Sequence, residues 1–405
     1  MFTCKGPPLG LLIGISLLAV ACADAFAASG RSQDEAIGSA LNEICPPSFD
    51  GFFAPDLGPN LDRYCQFRRS FGIILPGAPG GDGGSATSHQ TATERLSAQR
   101  FGTDQAEAEQ TIAEDFRVFI SFSRRHEKKT QTRLEPGLGL DADSALIGIE
   151  RSFGKLQLGV ALAQERQDGD YDNSGGGRLK IDSDHYLFYL NGTLGQAYWY
   201  GASVGWAQYD FDTLRRLRFD DTEATFADLG VDALVPSQST ARQTEARVDF
   251  GRGWDYELGY RLDLNAGLAY RQRRLDAFVE QGEVPLRLAF PQRSEHSLLG
   301  VLGLDFRRAI SSQVGVWLPG VGLSWRHEFA DDAQDIQAFF AEDGRDNPTA
   351  VVFSTDRPDR DSAYINVGVS WLGPRGWSAD LRYRREFGYR DYARDGLSLM
   401  VGLGF

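Results

Sequence analysis

Apolar and polar residues alternate at every second position from Phe116 to Phe405, and no other feature limits the fold of this 405-residue chain as strongly. A period of two is the period of a β-strand, whose successive side chains point to opposite faces. Tyr260, Leu262, Leu264, Ala266, Leu268 and Tyr270 alternate with Arg261, Asp263, Asn265, Gly267, Ala269 and Arg271. The same pattern runs through Phe116–Phe122, Leu156–Leu162, Ala363–Trp371 and Trp377–Tyr383. About twelve such segments begin near residues 116, 143, 155, 179, 196, 241, 257, 294, 312, 360, 376 and 394, an even number that suits a closed antiparallel ring.

The connections separate a soluble sandwich from a membrane barrel. Tight turns are expected near Phe153-Gly154-Lys155, Leu194-Gly195-Gln196, Trp254-Asp255-Tyr256, Ala309-Ile310-Ser311 and Leu372-Gly373-Pro374. Between them fall polar loops near 126–142, 168–178, 212–240, 273–293, 330–359 and 389–393. Short turns at one end and long loops at the other are the pattern of outer-membrane barrels, with the long loops outside. Phe153, Tyr198, Trp199, Tyr200, Trp254, Tyr256, Trp371 and Trp377 gather near the tight turns, where amphipathic rings would form a girdle in the headgroup zone. The charged residues Arg261, Asp263, Arg271, Arg382 and Arg384 fall on the polar face and are expected to line the lumen.

The N-terminal part reads differently. Lys5, the apolar run Leu11–Ala21 and Ala25-Phe26-Ala27 form an export signal over residues 1–27; a looser reading of Ala19-Val20-Ala21-Cys22 would lipidate Cys22. No later stretch is long and apolar enough for a transmembrane helix, so any membrane span must be β. Residues 28–88 form a short segment with two cysteines, Cys45 and Cys65, expected to oxidise to a disulfide in an exported chain. It ends in the Gly/Pro-rich linker Pro76–Ser85. Residues 89–114 contain a Glu-, Ala- and Gln-rich stretch with helical propensity but few apolar anchors, which suits solvent or a polar lumen. The barrel is expected over 115–405. A net charge of −14 with no basic stripe excludes nucleic acid as a partner.

The closing strand carries Leu397, Leu399, Val401, Leu403 and Phe405 on one face. An apolar strand ending in Phe resembles the signal by which the outer-membrane assembly machinery recognises its clients. Further motifs stand in the same order as in one family: Ala266–Tyr270 followed by Asp276-Ala277-Phe278-Val279-Glu280-Gln281-Gly282, then Leu318-Pro319 with Trp325-Arg326-His327-Glu328-Phe329, then Asp361-Ser362-Ala363. With these, residues 113–405 resemble the translocator domain of the autotransporter family. The resemblance implies an all-β, twelve-stranded antiparallel transmembrane barrel in a Gram-negative outer membrane, monomeric, with an N-terminal helix threading the lumen and an exported segment upstream. It implies outer-membrane lipid, the barrel assembly machinery and periplasmic chaperones as partners. Residues 28–88 are shorter than the family's usual passenger.

No catalytic, metal or cofactor site is expected. Gly201-Ala202-Ser203-Val204-Gly205 fits a nucleophile motif by letter but lies inside a strand, where no elbow forms. Asp168-Gly169-Asp170-Tyr171-Asp172 begins like a calcium loop, yet Asn173 and Leu179 replace its Gly and Glu. His89, His126, His185, His296 and His327 lack metal spacing. Three functional readings stay open: a translocator displaying its own N-terminus, a passive pore or structural barrel, and a barrel-embedded hydrolase using His126 or His296.

Overall fold

The computed structural model describes Ile37, Ser39, Ala40, Glu43, Ile44, Leu57 and Leu61, and residues 116–405 except 172–176, 196, 220–230, 284–285, 331–334 and 357–358. The expected signal peptide, the Cys45–Cys65 pair, His89 and the polar helix lie outside the described residues.

From Phe116 onward the described residues form seventeen strands: β1 (Phe116–Lys129), β2 (Leu138–Phe153), β3 (Leu156–Tyr171), β4 (Gly177–Leu194), β5 (Tyr198–Phe219), β6 (Val231–Asp255), β7 (Tyr260–Leu275), β8 (Phe278–Val279), β9 (Leu288–Phe290), β10 (Arg293–Arg308), β11 (Ile310–Ser312), β12 (Gly315–Glu328), β13 (Asp335–Phe340), β14 (Ala350–Ser354), β15 (Asp361–Leu372), β16 (Trp377–Phe387) and β17 (Tyr392–Gly404). The large sheet runs β10-β7-β6-β5-β4-β3-β2-β1-β17-β16-β15-β12-β11, and pairing of β10 with β12 closes it into a ring. With β11 continuing β10, the ring has the twelve antiparallel strands that the sequence predicts.

Closure brings the two ends of the barrel chain together. β1 and β17 pair from Arg117 with Gly404 to Lys129 with Tyr392. Phe405 donates its N–H to the Phe116 carbonyl at 2.9 Å, and the two rings stack at 6.4 Å on the tight-turn rim. Leu397, Leu399, Val401 and Leu403 occupy the odd positions of β17, with Leu397 and Leu399 strongly exposed on the outer wall.

Side-chain parity sorts the two faces. In β1, Phe122 is 52% exposed on the outside while Phe119 is 3% exposed on the inside. The outer row Val118, Ile120, Phe122 turns to Arg124, His126, Lys128 beyond Phe122. β2 does the same, with Ile147, Ile149 and Phe153 followed outward by Asp143 and Asp141. A membrane needs only about 9–11 residues of tilted strand. β5 has 22 and β6 has 25, so these strands run on well past the apolar band.

Several boundaries therefore differ from the sequence reading. β2 starts at Leu138 rather than near 143, and β6 at Val231 rather than near 241. Their extensions carry Asp141, Asp143, Gln238 and Thr240 outside, so no continuous apolar outer row marks them. The turn expected at Ala309–Ser311 lies later, at Gln313-Val314, because Ile310–Ser312 stays paired with Gly315–Trp317. Trp199 does not join the outer girdle: it lies in the inward series of β5, where a Cβ on Gly251 would meet its ring at 2.2 Å.

The loops expected near 273–293 and 330–359 contain a second sheet, β14-β13-β9-β8, at the long-loop end. Its core joins Val235 of β6 with Leu286, Leu288, Ile336, Ala338, Phe340, Val351 and Phe353. Ile37, Ala40, Ile44, Leu57 and Leu61 pack into the same cluster.

Candidate functional site

Two regions carry the unusual chemistry: the lumen wall and the lobe built on the long loops.

The lumen wall is two-sided. On β17 and β1–β4 the inward rows place Phe119, Leu146, Ala161, Ala163, Leu187 and Met400 in one buried apolar cluster. Glycines let aromatic rings lie flat on this wall: a Cβ at Gly148 would meet Phe119 Cζ at 2.3 Å, and one at Gly159 would meet Tyr189 Cζ at 2.0 Å. Elsewhere, on β6, β7, β10 and β16, the wall is ionic. Asp263 takes Arg261 Nε at 2.9 Å and Arg307 Nη2 at 3.0 Å, Arg247 grips Asp249 through two contacts of 2.7 Å, and Arg382 donates to Asp380 at 3.0 Å. Arg261, Asp263, Arg271, Arg382 and Arg384 thus occupy the inward face, as their parity predicts.

Above these walls a charged belt crosses neighbouring strands. Arg125 of β1 bonds Glu127 and reaches Glu165 of β3 at 3.1 Å. Arg394 of β17 meets Glu127 at 3.0 Å and Glu386 of β16 at 3.3 Å, and Glu386 takes Arg326 of β12 at 3.1 Å. All six side chains are buried, so each charge depends on its neighbours for the solvation that water would give.

A buried fork ties the loop-end lobe to the barrel. Arg215 of β5 donates Nε and Nη2 to the two carboxylate oxygens of Glu280, each at 2.7 Å, and Glu280 also accepts the Leu288 N–H at 2.8 Å. Asp343, at the β13–β14 connection, accepts Arg345 through both oxygens at 2.7 Å and the Thr349 N–H at 3.1 Å. Burial pushes its carboxyl up, but these donors outweigh it and hold the group below its ordinary value. Residues of the N-terminal segment reach the same place: Leu57 bridges Asp343, and the Leu61 N–H donates to Glu342 Oε2 at 2.9 Å. A second latch ties the rim loops, with Thr132 donating to Asp356 at 2.6 Å, the Asp356 N–H donating to Glu135 at 3.1 Å, and Lys129 between the two acids.

The other motifs do not assemble into a site. Ser203 sits in the middle of β5, opposite Tyr189 and Arg247. Asp168 is paired with Arg166 and Arg178 on the outer wall. His126 bonds Asp141 outside the barrel, and His296 lies on the outward row of β10, so the two are neither in the lumen nor together. His327 shares Asp361 with Trp325. Among the described residues no group of three His, Cys, Asp or Glu could hold a metal ion.

A profile for the autotransporter beta-domain matches residues 117–384, which is most of the ring described above. The chain belongs to the autotransporter family. This places the barrel in the outer membrane of a Gram-negative bacterium, with its tight turns periplasmic and its long loops external. The fold is similar to that of the translocator domain of the autotransporter NalP from Neisseria meningitidis (TM-score 0.55, 16% identity, 77% of this chain and 94% of that one). It is also similar to the beta domain of the Bordetella autotransporter BrkA (TM-score 0.51, 15% identity, 72% of this chain and all of that one). No curated protein sequence matches this chain. The belt, the fork at Glu280 and the loop sheet were not foreseen from sequence. Their signals were present only as inward charges and as the alternations Ile336-Gln337-Ala338 and Val351-Val352-Phe353.

Proposed function

We propose that this autotransporter-type barrel carries its own N-terminal segment to the cell surface and keeps it displayed there. One observation carries the reading: Ile37, Ala40, Ile44, Leu57 and Leu61 pack into the external loop core, whereas the barrel wall begins at Phe116 on the opposite, periplasmic rim. Residues 62–115 must therefore connect one end of the barrel to the other. The outer wall is apolar and faces lipid, which accepts no irregular polar backbone. The lumen is the remaining route, and its apolar strip and ionic wall suit a polar helix over 89–114 with a few apolar anchors.

In this reading residues 1–27 are an export signal, 28–88 the displayed segment stapled by Cys45–Cys65, 89–114 the lumenal helix and 115–405 the translocator. The row Leu397, Leu399, Val401, Leu403, Phe405 is what the barrel assembly machinery reads, after periplasmic chaperones have delivered the chain. The role is non-enzymatic and the barrel monomeric. A tag near residue 50 tests it: protease added to intact cells digests the tag if display is right, and a tag cut only after permeabilisation overturns it.

A further inference from the structure

We propose that the loop sheet β8/β9/β13/β14 is a receptor for the N-terminal segment, one that keeps it bound after the chain between segment and barrel is cut. The inference rests on display at the loop end and goes beyond it: the displayed segment is held by a non-covalent interface, so cleavage leaves it on the cell.

The sheet cannot be a core by itself. Its strands hold two, three, six and five residues, and so small a sheet needs another layer over its apolar face. The segment supplies that layer. Ile37, Ala40 and Ile44 are helical and spaced three and four apart, which puts one apolar stripe against the loop core. Leu61 is 1% exposed, and its N–H is tied to Glu342. The bridge from Leu57 to Asp343 adds main-chain pairing at the end of the hairpin. Released into water, the segment would expose this stripe and the sheet would expose Leu288, Ala338 and Val351, each wholly buried now.

The barrel also holds the receptor half, through contacts that do not involve the occupant. Glu280 is gripped by Arg215 of β5 and caps Leu288, and the Gln281 N–H bonds the Pro236 carbonyl of β6 at 2.8 Å. Cutting the linker removes neither contact. The interface therefore stays formed when the covalent tether is lost.

The test uses the full chain in intact cells, with a sequence-specific protease site in the Pro76–Ser85 linker and an epitope before residue 31. After cleavage and washing, the fragment is expected to remain with the cells. The variant Ile37→Asp with Leu61→Asp, which alters only the segment, is expected to release it about tenfold faster or more, since interface losses act mainly on the off-rate. Equal release from both chains overturns the proposal while leaving display intact. A linker cut only after permeabilisation fails the display reading instead. Hydrogen exchange on the purified full chain decides independently of cleavage: protection at 286–288 and 336–340 should fall in the double variant, and unchanged protection contradicts the interface.

Discussion

Replacing Arg394 by Met keeps most of the side-chain stem and removes one charge from the centre of the lumenal belt. Arg394 is 2% exposed and contacts Glu127 at 3.0 Å and Glu386 at 3.3 Å, each itself 1% exposed. Arg125 and Arg326 still reach these carboxylates, but each lies to one side, so two buried anions lose the cation between them. Removing one partner of a buried pair costs about 3–5 kcal/mol, because the remaining charge is stranded away from water. The expected loss is of that size, read from denaturant unfolding of the purified barrel in phospholipid vesicles by tryptophan fluorescence. Adding Glu127→Gln alone should recover most of it, since Arg125 then keeps Glu165, Arg326 keeps Glu386, and no buried carboxylate faces the missing cation alone. A single-variant loss below about 1 kcal/mol, or a double variant less stable than the single one, would refute the idea that the belt is mutually solvating.

Gly159→Val should destabilise the barrel by about 1–3 kcal/mol, because the new Cβ meets the Tyr189 ring, which bonds Glu150 at 3.0 Å; a heat-modifiability series on gels reads the shift. Phe405→Ser should leave the stability of refolded barrel within about 1 kcal/mol, its ring being 65% exposed, while lowering the outer-membrane level several-fold in cells; equal levels of both chains would remove the assembly role. Acid should loosen the β13–β14 hairpin through Asp343. Its folded value lies below the unfolded 3.8, so its stabilising effect is present above that pH and is lost as pH falls through the folded value. Limited proteolysis of the loops between pH 5 and 3 should show this, and Asp343→Asn should flatten the dependence.

Inside the apolar band the fold was readable because lipid and lumen impose opposite demands on alternate residues, so Tyr260–Tyr270 and Trp377–Tyr383 announce their faces. Above the band that contrast vanishes. Asp141 and Asp143 lie outside β2 in water, Leu138 and Leu140 lie inside, and the strand continues without an apolar outer row. The loop sheet was hidden for a different reason: Leu288 and Val351 are far apart in sequence, and only the barrel brings their loops over one another. The belt illustrates the same limit, since inward Arg and Glu residues can be identified by parity but their partners depend on cross-strand stagger. Trp199 was misassigned because turn proximity fixes a ring's height in the membrane and not its face.

The central claim is that the N-terminal segment shares the external end with the long loops. With Cys45 and Cys65 replaced by Ser, single cysteines at Glu43, Asp346 and Lys155, all exposed, can be challenged on intact cells with a membrane-impermeant maleimide. Positions 43 and 346 should label at once and position 155, on a tight turn, only after permeabilisation. Labelling of position 43 together with 155 and apart from 346 would contradict the account.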